Sequence, residues 1–169
     1  YTQVTTWVGT AQSAEGMTTK LGSTPAQTTY PDWTELSYTF TPEADGDYCF
    51  GFSFDTMLNN SGSVGLDDIE LSTTKKGGST GEEDDREAVD LPYSQSFDNE
   101  NKDYDGKHYV PNGWLSTGTM PFVTAYTDAM PAKDGSYYLI ANESTSARDE
   151  RLYSPYFTME AGKTYTASF

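Results

Sequence analysis

Tyr48, Phe50, Phe52 and Phe54 alternate with Cys49, Gly51 and Ser53, a period of two that predicts a strand with one face in a core. Leu36, Tyr38 and Phe40 alternate in the same way behind Trp33, which is expected to open that strand. Residues 1–8, rich in Thr, Val and aromatic side chains, predict another strand. Residues 9–29 are mostly Gly, Ser, Thr and Gln, with only Met17 and Leu21 to offer a core. They read as a long loop holding at most one short strand. Within 64–71, Val64 and Leu66 share one face of the alternation, whereas Ile69 and Leu71 share the other. The face changes across Asp67-Asp68, which predicts a bulge or a strand buried on both sides.

Past residue 73 the pattern stops. Lys75-Lys76-Gly77-Gly78-Ser79-Thr80-Gly81 and Glu82-Glu83-Asp84-Asp85 carry no apolar period, so residues 74–90 read as an acidic, Gly/Ser-rich linker. Beyond it Tyr93, Gln95 and Phe97 alternate with serines, and further strands are expected at 136–141, 151–157 and 163–169. No segment has a helical period, so the chain is expected to be all-β. Both ends fall inside predicted strands while the linker lies in the middle. That is the arrangement expected of a window cut from a longer protein, since domain boundaries usually lie in linkers.

Composition narrows the function. With 26 acidic against 10 basic residues the net charge is −16, which argues against nucleic acid or an anionic membrane as partner. Cys49 is the one cysteine, so no disulfide framework exists within the chain. No run of roughly 18 apolar residues and no signal-peptide pattern is present, so no membrane insertion is expected. Thirteen Tyr among many Thr and Ser suit a secreted or surface-exposed bacterial β-domain.

Acidic side chains are rarely buried alone, so Asp67 and Asp68 need either a cation or backbone donors capping a strand end. Asn101-Lys102-Asp103-Tyr104-Asp105-Gly106 matches the opening of an EF-hand loop. Asn112 stands at its twelfth position and no helices flank it, so a solvated acidic loop is the better reading. Trp33 and Trp114 are expected in the core more than on a sugar-stacking platform. Tyr104, Tyr109 and Tyr126, in polar loops, are the ligand-binding candidates. No catalytic residues are assigned. His108 is the only histidine and has no nucleophile motif beside it, and Cys49 reads as a small packed hydrophobe. The chain is not expected to be an enzyme.

Leu91-Pro92-Tyr93-Ser94-Gln95-Ser96-Phe97-Asp98, Pro111-Asn112-Gly113-Trp114, Leu152-Tyr153-Ser154-Pro155 and Ala161-Gly162-Lys163-Thr164-Tyr165 resemble the first half of a choice-of-anchor J or cleaved-adhesin module. Trp33-Thr34-Glu35-Leu36, Gly46-Asp47-Tyr48-Cys49-Phe50-Gly51-Phe52 and Gly65-Leu66-Asp67-Asp68-Ile69-Glu70-Leu71 resemble its second half. Meprin-type adhesion domains and many carbohydrate-binding modules are related jelly rolls. The resemblance implies a jelly-roll β-sandwich, with residues 1–73 the C-terminal half of one module and 91–169 the N-terminal half of the next. The two halves stand in reversed order for a single domain. They are therefore expected either to combine as one permuted sandwich, within one chain or in a strand-exchanged dimer, or to be completed by parent sequence.

The resemblance further implies a structural calcium held by Asp98 and by one or both of Asp67 and Asp68. It also implies a tandem-repeated adhesion or binding module of a secreted or cell-surface protein, with a glycan or a host or extracellular protein as partner. A spacer sandwich and an ancillary module of a secreted glycanase or protease are the alternatives.

Overall fold

The computed structural model describes residues 2–25, 33–56, 63–73, 88–98, 110–117, 122–125, 131–141 and 149–169. Thirteen strands and no helix are present among them. In chain order these are β1 (Thr2–Gly9), β2 (Thr19–Ser23), β3 (Ser37–Phe40), β4 (Gly46–Thr56), β5 (Val64–Leu66), β6 (Ile69–Thr73) and β7 (Tyr93–Gln95). They continue with β8 (Leu115–Thr117), β9 (Phe122–Ala125), β10 (Tyr137–Ala141), β11 (Asp149–Tyr153), β12 (Phe157–Met159) and β13 (Tyr165–Ser168). All pairings between these strands are antiparallel. One sheet runs β2-β1-β4-β11-β8 with β12 also on β4, a second β5-β10-β9, and a third β3-β13-β6-β7. The protein is an all-β sandwich.

Of the predicted linker, residues 74–87 lie outside the described residues; strands from residues 2–73 pair with strands from residues 93–168 in all three sheets. Phe52 lies opposite Leu152, Leu66 opposite Leu139, and Leu71 opposite Ala167 and Tyr93. The described residues of 2–73 and 93–169 thus form one sandwich with each other. Their apolar faces meet in one core cluster that includes Val4, Phe52, Phe54, Leu71, Phe97, Leu139, Leu152 and Ala167.

β4 is buried on both faces. Phe50, Phe52 and Phe54 enter the main core, whereas Cys49 on the opposite face packs in a second cluster with Met17 and Tyr153. Met17 comes from the segment read as a long loop, which folds back over the sheet and returns as β2 on β1. Leu21, on β2, packs against the main core.

Four boundaries differ from the sequence expectation, each for a local reason. Trp33 does not open β3, because its indole N–H donates to the Pro131 carbonyl (3.0 Å) and its ring meets Tyr138 edge-on at 5.9 Å. Phe97 lies past the end of β7 with φ +62, a left-handed conformation that leaves the ladder. Residues 151–157 are two strands, since Pro155 has no N–H to give the ladder. Ser154 bridges that gap: its N–H donates to the Phe50 carbonyl and its Oγ accepts from the Phe50 N–H, both at 2.8 Å. The segment 64–71 is neither a bulged strand nor a doubly buried one. It breaks at Asp67-Asp68, β5 joins β10 and β6 joins β13. The change of face in the pattern is a change of sheet.

Candidate functional site

The break between β5 and β6 places Asp67 in the interior, 3% exposed, and Asp68 in a left-handed conformation with φ +50. Asp and Asn tolerate that conformation better than bulkier residues do. The buried Asp67 carboxylate is matched by backbone donors. Its Oδ1 accepts from the Asp68 N–H (3.0 Å), and its Oδ2 from the N–H groups of Lys133 (2.9 Å) and Asp134 (3.4 Å). Burial, then the Asp68 charge, push the Asp67 carboxyl up to about 7 against the opposing pull of those amides.

Asp98, just past β7, holds the other end of the same loop. Its Oδ1 accepts from the Ser136 N–H (2.7 Å) and the Tyr137 N–H (3.0 Å), where β10 begins. Between these anchors Gly135 has φ +64, and a methyl group there would land on the Asp98 carboxylate. Residues 133–137 are therefore clamped by two carboxylates from separate strand ends, one from each side of the linker. Gly135→Ala is expected to cost about 2–3 kcal/mol, combining left-handed strain of about 1–2 kcal/mol with weakened Asp98 bonds. Urea denaturation checks this, and a loss below about 0.5 kcal/mol would show that Asp98 is not seated on the loop.

Asp68 is half-buried beside the loop. Burial raises its carboxyl first and Asp134 next; Lys133 opposes, while Asp98 and Glu70 add to the rise. Of the sequence-predicted acidic residues, Asp67 and Asp98 thus hold the two ends of one loop, and Asp68 lies beside it. Two of them hold backbone amides, the strand-capping role. Among the described residues no three His, Cys, Asp or Glu side chains are placed to share a metal ion.

Next to this loop a cleft of about 210 Å³ opens between Trp33, Phe169, Glu35, Asp68, Glu70 and Lys133. Residues 33–35 reach it from the approach to β3, Glu70 from β6, Phe169 from the end of β13, and Lys133 from the clamped loop. Leu36 and Phe169 exchange both backbone hydrogen bonds (2.9 and 3.0 Å), which fixes the two near walls relative to each other. No local pattern reveals this cleft, which forms only where residues 33–35 and 67–70 meet Lys133 and residues 168–169. The usable signal was Trp33 followed by polar Thr34 and Glu35 ahead of the alternation.

Trp114, by contrast, is 6% exposed, stacks on Phe52 at 6.4 Å and donates its indole N–H to the Tyr93 hydroxyl (2.8 Å). It is a core residue. Cys49 is fully buried. Tyr104, Tyr109, Tyr126, His108 and the 101–106 loop lie outside the described residues. Comparison of the chain with protein-family models, curated proteins and solved structures finds no match.

Proposed function

We propose that this chain is a jelly-roll binding or adhesion module of a secreted or cell-surface bacterial protein of several domains, and that it binds a glycan or an extracellular protein without catalysing a reaction. The observation that supports this reading is the cleft beside Trp33. Backbone hydrogen bonds and the two carboxylate clamps hold its walls, and it sets aromatic surface against carboxylates and an ammonium group. Preformed, partly apolar concavities with a few convergent polar groups are the usual form of ligand sites. The acidic surface, with a net charge of −16, disfavours nucleic acid as the partner.

The test is a binding screen of the intact chain against immobilised glycans and a panel of extracellular proteins. Saturable binding to one class is expected. A chain that binds neither overturns the reading in favour of a spacer sandwich.

Calcium belongs to the same proposal, on Asp67, Asp68 and Asp98. The described residues do not form a cage by themselves, because Asp67 and the Oδ1 of Asp98 already accept backbone amides. Calcium is a hard ion that takes six to eight oxygens. An ion here would draw on Asp68, on the second oxygen of Asp98 and on water. Calcium is expected to raise the melting temperature, since binding to the folded state alone stabilises it by about 2.7 kcal/mol at a hundredfold excess over Kd. Melting curves that coincide with and without chelator would remove all three aspartates as ligands.

A further inference from the structure

We infer that the cleft beside Trp33 is a subsite for one neutral sugar ring; this rests on the binding-module reading above and assigns it a ligand class and residues. Its size is the first ground. At about 210 Å³ it falls below the roughly 300–1,000 Å³ of sites for drug-sized ligands and suits a single ring.

The wall chemistry is the second ground. The Trp33 indole N–H is already bonded to the Pro131 carbonyl, and one side of the ring meets Tyr138. What Trp33 offers the cleft is apolar ring surface, which matches the C–H face of a pyranose and its weakly positive hydrogens.

The polar groups are the third ground. Glu35 and Glu70, both exposed, supply carboxylate acceptors, while Lys133, Thr34 and Ser168 supply donors. A sugar hydroxyl both donates and accepts, so a ring bearing several can satisfy both sets at once. Bonds from hydroxyls to ionised carboxylates are the stronger kind. An anionic ligand would be repelled by Glu35 and Glu70. A neutral sugar avoids that repulsion.

The experiment titrates the isotope-labelled chain with the methyl glycosides of glucose, galactose, mannose and N-acetylglucosamine, following amide and indole N–H resonances. Glucosamine and glucuronate are run in parallel. At least one neutral glycoside is expected to shift the Trp33 indole and Lys133 amide signals saturably. Trp33→Ala is expected to weaken that binding at least tenfold, and Glu35→Gln, on an exposed side chain, at least threefold. Glu35→Gln keeps the test decisive if Trp33→Ala fails to fold. Shifts that appear away from the cleft, that appear with glucosamine alone, or that no neutral glycoside produces overturn the inference. If the chain still binds its partner in the glycan and protein screen after both substitutions, the sugar subsite falls and the module reading stands. A screen with no partner at all removes the module reading first.

Discussion

Replacing Phe52 with alanine is expected to destabilise the protein by about 3–5 kcal/mol, the range for deleting a large buried aromatic side chain. Phe52 is 1% exposed at the middle of β4. Its ring lies nearly parallel to Trp114 (6.4 Å, 18°) and meets Phe169 edge-on (5.2 Å, 87°). Both partners come from beyond the linker, so the cavity opens where the two segments meet. Phe40, half-buried on the edge strand β3, serves as control, and its replacement by alanine is expected to cost less than half as much. Urea denaturation followed by tryptophan fluorescence measures both. A loss below about 1 kcal/mol for Phe52→Ala would mean that this ring is not held between the segments.

The second large effect is expected at Asp67. Asp67→Ala removes the acceptor for three backbone N–H groups in a site that excludes water at the carboxylate itself. Buried donors left unmatched cost about 1–3 kcal/mol each. Two terms reduce the sum: Lys133 and Asp134 are exposed residues, where water can replace part of the lost acceptor, and removing the Asp67 charge ends its repulsion with Asp68. A net loss of about 2–4 kcal/mol is expected. Asp67→Asn retains one oxygen, which can still accept from Lys133 and Asp134, and is expected to cost about half as much. Equal losses for the two substitutions would show that charge, not acceptor geometry, is what the site requires.

Much of the fold was legible because the alternation is strong where strands are long. Tyr48 to Phe54 reads as a strand in any context, and the core faces of β4, β6 and β13 follow from the same period. β8 and β9 do not alternate: Leu115-Ser116-Thr117 holds one apolar residue, and Phe122-Val123-Thr124-Ala125 opens on two adjacent ones. The second cluster was hidden for a different reason: Cys49, Met17 and Tyr153 are isolated in sequence and meet only when residues 9–18 fold over the sheet. At Asp67-Asp68 the pattern did register that the face changes, but period-two reasoning cannot distinguish a bulge from a change of sheet. Asp67 and Asp68 stood out because the face changes across them, whereas the amides that Asp67 and Asp98 hold were not readable, since backbone donors leave no mark in a sequence. The cleft was the least legible feature, being assembled from four separate stretches.

Residues 2–73 and 93–169 complete each other as one sandwich. Isotope-filtered NMR on a mixture of labelled and unlabelled chains tests it directly, through cross-strand contacts at Phe52–Leu152 and Leu71–Ala167. The account predicts that both contacts are present and arise within a single chain. Their absence, or their appearance only between labelled and unlabelled chains, would contradict it.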